Sequence, residues 1–149
     1  MIRVQEAPFD VGAELAALSA GRTDIGAVAS FQGLVRDIAG DQTITAMTLE
    51  HYPGMTERKL AEIEAEARAR WPLQASLIVH RYGRMLPGEP IVLVATASQH
   101  RSAALEACAF LIDWLKTKAP FWKLEETAAE SRWVEARSSD EDAAARWQT

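Results

Sequence analysis

One cysteine in 149 residues, Cys108, excludes a disulfide framework and any metal site built from several thiolates. No apolar run approaches the roughly 18 to 20 residues of a membrane-spanning helix, and the first residues lack the basic-then-apolar plan of a secretion signal. A reducing, cytoplasmic setting is the expectation. Positive charge is scarce too: 16 Lys and Arg stand against 21 Asp and Glu, for a formal charge of -5. The basic surface that a general nucleic-acid or membrane binder uses to displace counterions is therefore missing. No predicted strand is followed by the glycine pattern of a dinucleotide-binding turn or by a phosphate-cradling P-loop. His51, His80 and His100 lie far apart in the chain and form no zinc-type helical pair, so neither a metal nor a cofactor is expected.

What is present is one core's worth of apolar sequence. At 48% hydrophobic over 149 residues the chain reads as a single domain, 1–149, with a charged, Ala-rich tail over 138–149. Its centre is the stretch SQHRSAALEACAFLIDWLKTKAPFWK, residues 98–123. Ala104, Leu105, Cys108, Leu111, Ile112 and Leu115 follow the three-and-four spacing of a helix with one buried face, and Pro120 stops it. Before it, Ile2 to Val4 reads as an edge strand, Asp10 as the cap of a helix ending near Gly21, and Ile25 to Val35 as a buried strand closely approached at Gly26 and Gly33. A polar loop over 38–43 leads to a strand from Ile44 to Tyr52, then to an amphipathic helix from Met55 to Trp71. Leu77 to Tyr82 and Ile91 to Ala97 read as a hairpin, and Phe121 to Glu126 and Arg132 to Ala136 as short strands. Several strands follow one another through short turns, which favours an α+β layer, mostly antiparallel with flanking helices, over a doubly wound sheet.

Candidate site residues gather at the ends of the central helix. His100 and Arg101 stand at its start, where free backbone N–H groups already favour an anion. Lys116 belongs to its last turn, where a cation matches the helix dipole. Lys123 lies beyond Pro120 and has no such explanation. Burial beside Trp122 would lower its pKa, while Glu125, two residues on along the same strand face, opposes that shift. Arg36 ends an apolar strand, a common place for a site. His51 and His80, within strands, read as packed residues, and Cys108 as a core thiol without the electropositive setting of a reactive one.

The segments GAVASFQGLVRD, LEHYPGMTERKLAEI, HRYGRMLPGEPIVLVATASQHRSAALEA and LKTKAPFWKLE, in that order, resemble the large, catalytic subunit of molybdopterin synthase. The resemblance runs from about Gly26 to the tail and rests on four separated motifs agreeing in order and spacing. It implies a hammerhead-type α+β fold and a homodimer of this subunit. Each copy would bind a small ubiquitin-like sulfur carrier ending in a Gly-Gly thiocarboxylate, making a heterotetramer. The implied reaction converts cyclic pyranopterin monophosphate to molybdopterin by installing two sulfurs as a dithiolene. The matching positions would be Leu34, Val35, Arg36, His100, Arg101, Lys116, Lys123, Leu124, Glu125 and Arg137 for substrate, with Lys116 and Lys123 carrying the chemistry. Leu124 departs from the second basic residue that many members place after the lysine, so a charged role there is not expected. The residues agree in kind, because a cyclic phosphate and a thiocarboxylate are both anions and an acidic chain needs a local cationic pocket for them. A second reading, a non-catalytic docking module for a Gly-Gly tail, would need the cationic groove but not Lys123 with Arg36, His100 and Arg101 arranged around a second anion, and the presence of all four favours the enzyme.

Arg101 and Lys116 are fifteen positions apart, about 22 Å of backbone in an unbroken helix. One small pterin cannot comfortably span that distance. The expectation is a composite site in which His100 and Arg101 of one subunit face Lys116 and Lys123 of the other.

Overall fold

The computed structural model describes residues 1–134 and 138–148, and among these the chain is an α+β fold built on two sheets. The first sheet runs in the order β1 (Ile2–Gln5), β6 (Ala75–Arg81), β8 (Pro90–Ser98), β2 (Ala27–Leu34). Only its β1–β6 pair is parallel. The second runs β10 (Ser131–Val134), β9 (Phe121–Glu126), β5 (Ala46–His51), β7 (Gly83–Met85), antiparallel throughout.

Strand alternation gives the first sheet two apolar faces, and helices cover both. On one, Ile78, Val92 and Val94 pack against α2 (Met55–Arg70) through Leu60, Ile63 and Ala67, and against α3 (Arg101–Lys118) through Ala104, Cys108, Leu111 and Leu115. On the other, Leu77, Val79, Leu93 and Ala95 meet Leu15 and Leu18 of α1 (Val11–Ser19), whose start Asp10 caps by accepting a hydrogen bond from Ala13 N–H at 3.0 Å. Phe110, fully buried, adds the ring contacts that seat α3 against Trp71 and Trp147, and within the helix it packs on Trp114.

Several sequence expectations change. β2 is not buried: it is an outer strand of the sheet, paired among the described residues only with β8, and leaves Val28, Phe31 and Leu34 at 43%, 38% and 49% exposure. Apolar composition identifies a strand but does not say whether a neighbour covers it. Leu105 is also exposed, at 60%, because it lies to one side of the stripe that α3 buries. β6 and β8 pair as expected, but their connection carries the three-residue β7, which crosses to the second sheet. The 38–43 loop closes into a two-residue ladder, β3 (Ile38–Ala39) with β4 (Gln42–Thr43). The charged stretch 138–148, for which no element is expected from the sequence, contains a helix. α4 (Ser138–Ala145) packs on α3, with Trp114 Nε1–H donating to the Ala144 carbonyl at 3.3 Å and Asp113 accepting from Arg146 and from Trp147 Nε1–H at 2.7 Å each. The strand expected to reach Ala136 is seen from Ser131 to Val134, and its remainder lies outside the described residues.

The two close approaches are where the sequence suggests. Gly26 N–H donates to the Ser98 carbonyl at 3.0 Å, and a Cβ at Gly26 would stand 2.1 Å from the Gln99 carbonyl oxygen. A Cβ at Gly33 would stand 2.8 Å from Val92 Cγ1. Because the obstacle at Gly26 is backbone and cannot rotate away, Gly26→Ala is expected to cost about 1–3 kcal/mol, the usual scale of overpacking. Urea unfolding checks this, and an unchanged midpoint would mean the β2–β8 junction yields freely.

Candidate active site

Between the two sheets, beneath the β3–β4 hairpin, lies a cleft of about 640 Å³. One short connection builds its back wall. α3 ends at Ala119, whose N–H still donates to the Leu115 carbonyl; Pro120 prevents a further turn, and Phe121 N–H donates back to the Ala119 carbonyl at 2.9 Å. The last turn of α3, bearing Lys116, and the start of β9, bearing Lys123, thus border the same space.

Alternation along β9 turns Phe121, Lys123 and Glu125 into the cleft and leaves Trp122 and Leu124 on the outer face. Lys123 sits opposite Leu49 on one side and Val134 on the other. The ring that shares the cleft with it is therefore Phe121, and Trp122, 49% exposed, points away. Glu125 is nine-tenths buried at the cleft wall and, among the described residues, has no hydrogen-bond or ion-pair partner. Leu34, Val35 and Arg36 bring the end of β2 to the opposite side, with Met47, Leu49, Ile91 and Leu115 as an apolar floor.

Of the expected site residues, the fold brings together Leu34, Val35, Arg36, Lys116, Lys123 and Glu125. It does not bring Leu124, for the reason just given. His100 and Arg101 are exposed at the far end of α3, which is unbroken from Arg101 to Lys118. His100 takes the N-cap position without a side-chain cap bond. Arg137 lies outside the described residues. Arg132, Asp41 and Asp140 join the lining unannounced. Four cations, Arg36, Lys116, Lys123 and Arg132, against three carboxylates, Asp41, Glu125 and Asp140, leave the described lining formally at +1 in a chain of net charge -5.

His80 is packed, as its place in a strand suggests, and it also borders the cleft. It is 4% exposed, lines the cleft, and stacks on Phe121 with centroids 3.8 Å apart and planes 16° apart. Its Nδ1–H donates to the Arg81 carbonyl at 2.8 Å, which leaves Nε2 as the unprotonated nitrogen. Burial lowers its pKa to about 3, the charges of Lys116 and His51 push the same way, and the bond to Arg81 opposes them. It is thus a neutral ring beside a cluster of cations. No sequence signal marks it, because only the pairing of β6 within the first sheet brings that strand face to the cleft. His51 is packed as expected, its Nδ1 within 3.1 Å of Thr56 Oγ1. Cys108 faces the first sheet from α3, 6% exposed, with burial pushing its thiol up to about 11. Among the described residues no group of His, Cys, Asp and Glu side chains is placed to hold a metal, and no helix is long and apolar enough to cross a membrane.

Comparison with known proteins bears on this cleft. Residues 4–118 match the family described as MoaE protein. The chain is 59% identical over 146 residues, 98% of its length and 83% of the relative's, to the molybdopterin synthase catalytic subunit of Ralstonia nicotianae. It is 58% identical over 147 residues, 99% of its length and 98% of the relative's, to that of Pseudomonas aeruginosa. It superposes with a TM-score of 0.85 on the molybdopterin biosynthesis MoaE protein of Burkholderia ambifaria, 53% identical, covering 100% of this chain and 98% of that one.

The buried imidazole sets a pH dependence whose sign is fixed. Between about pH 6.5 and 3 the unfolded chain protonates His80 while the folded one does not. Its contribution to stability is therefore present above about 6.5 and is lost as pH falls, by at most about 1.4 kcal/mol per pH unit. His80→Phe keeps the stack on Phe121 and removes the titration. Urea unfolding from pH 7 to 4 should show the native curve falling more steeply than the variant's. Parallel curves would mean the folded protein protonates this ring as readily as the unfolded chain does.

Proposed function

The chain belongs to the MoaE family, and we propose that its cleft converts cyclic pyranopterin monophosphate to molybdopterin. Sulfur arrives on the C-terminal Gly-Gly thiocarboxylate of a small ubiquitin-like partner. The observation that carries this reading is the convergence of Lys116, Lys123 and Arg36 on one cleft of an acidic chain. Two anions must meet there, a phosphate-bearing pterin and a thiocarboxylate, and clustered cations with an apolar floor bind and orient both. Lys116, at the helix end, neutralises and orients the thiocarboxylate. Lys123, beside the nine-tenths-buried Glu125, moves protons as the pterin ring opens and water leaves. Arg36, with the backbone of Leu34 and Val35, holds the pterin phosphate.

The chain's own thiol is a poor alternative carrier. Cys108 is buried on the sheet side of α3, outside the cleft lining, and its raised pKa keeps it protonated. Sulfur therefore comes from a partner, as the relatives' name, catalytic subunit, presupposes. A tail ending in two glycines is thin enough to reach the lysines past the β3–β4 hairpin. This chemistry belongs in the reducing cytoplasm.

His100 and Arg101 enter the reading through a second copy of the chain. Fifteen residues of unbroken α3 separate Arg101 from Lys116, about 22 Å, and the exposed apolar residues of β2 with Leu105 offer a surface for that copy to cover. In a two-fold dimer the far end of one α3 completes the other subunit's cleft, and a small partner on each side makes a heterotetramer.

Lys116→Ala and Lys123→Ala are each expected to lower dithiolene formation at least about a hundredfold with the fold intact, the scale of a lost positioned acid, base or charge. Near-normal turnover in either would remove that residue from the mechanism. For the composite site, Arg101→Ala and Lys116→Ala subunits are mixed under conditions of dimer exchange. About half the dimers become hybrids with one intact site of two, so roughly a quarter of normal activity should return. No recovery, with exchange confirmed, would confine the site to one subunit.

A further inference from the structure

Arg36 borders two spaces. One is the cleft; the other is a recess of about 630 Å³ lined also by Val35, Asp37, Pro87 and Gly88. What aims Arg36 is therefore a real question, and the β-ladder does not answer it. The register of β2 against β8 shifts between Gly33 and Leu34, and the pairing ends at Leu34.

The turn between β7 and β8 takes over. Val35 N–H donates to the Glu89 carbonyl at 3.0 Å, and Gly88 N–H donates to the Val35 carbonyl at 2.7 Å, so the turn grips Val35 from both sides. The turn is itself stapled: Leu86 N–H donates to Glu89 Oε2 at 2.5 Å and Glu89 N–H to the Leu86 carbonyl at 3.1 Å. Gly88, at φ +90°, supplies the backbone shape. The other oxygen of Glu89 accepts from Arg81 Nη1 at 3.4 Å, and the Arg81 side chain, 6% exposed, is anchored independently on the Glu6 and Pro90 carbonyls. One residue beyond Arg36 the backbone is caught again, where Ile44 N–H donates to the Asp37 carbonyl at 2.6 Å.

We propose that Glu89 is a positioning residue for Arg36: its carboxylate holds the β7–β8 turn in the shape that grips Val35 and so directs the next side chain into the cleft. The inference rests on the reading of Arg36 as a substrate-binding residue. The Leu86 N–H, and after it Arg81, hold the Glu89 carboxyl below the usual carboxylate range, so the staple is ionised at any pH near neutrality.

A double-mutant cycle on the assembled synthase tests it, with KM for the cyclic pterin and kcat measured for Glu89→Ala, Arg36→Ala and the pair. The expected result is a KM about tenfold higher in Glu89→Ala with kcat changed less than about threefold. In the Arg36→Ala background the same change should cost less than about twofold, because there is no longer an arginine to aim. Glu89→Gln, whose amide oxygen can still accept from Leu86, should recover most of the native KM. Should Glu89→Ala not fold, Glu89→Asp replaces it in the cycle, its carboxylate one methylene short of the Leu86 N–H. Equal penalties with and without Arg36 would overturn the positioning role while leaving Arg36 in the site. A native KM in Arg36→Ala itself would instead overturn the substrate-binding reading, and this inference with it.

Discussion

Everything at the cleft depends on how α3 is seated. Ala104, Cys108, Leu111 and Leu115 bury one stripe on the first sheet, and Phe110, fully buried among tryptophan rings, fixes the helix on its other contact. At about 25 cal/mol per Å² of apolar surface removed from water, such a stripe outweighs any single polar contact in the structure. A helix held that firmly has a last turn held equally firmly, and Pro120 then passes the chain directly to the second sheet. The separation of the two lysine-bearing segments is thus set by core packing rather than by anything at the site.

The same packing explains how an acidic chain maintains a cationic pocket. The cations of the cleft wall are distributed over separate elements: the end of β2, the end of α3, β9 and β10. His80 adds an aromatic, hydrogen-bonding surface without adding charge, because burial holds it neutral. A protonated ring there would add a further positive charge beside Lys116 and raise the electrostatic cost of the apo cleft.

Much of this was legible in the sequence where local chemistry decides. Asp10, Pro120 and the stripe of α3 mark their boundaries because caps, proline and three-and-four spacing act over a few residues. Gly26 and Gly33 announced close approach for the same reason. What tertiary pairing decides was not legible. The exposure of β2 depends on there being no strand beyond it among the described residues, β7 is three residues long and exists only because β5 lies alongside, and α4 has too few apolar residues to declare that it packs on α3. At the site, alternation correctly placed Lys123 with Glu125. The aromatic partner came out as Phe121 instead of Trp122 because adjacency in sequence is opposition in a strand. His80 stayed hidden because the ring it stacks on, Phe121, lies far along the chain.

The stack of His80 on Phe121 has a mechanical consequence. His80 belongs to the first sheet and Phe121 to the second, so two rings in face-to-face contact join the sheets at the cleft wall. Elsewhere on the lining stands the β3–β4 hairpin, with a ladder only two residues long, whose Ile38 is half exposed. A bulky guest would therefore displace the hairpin more readily than it would part the two rings.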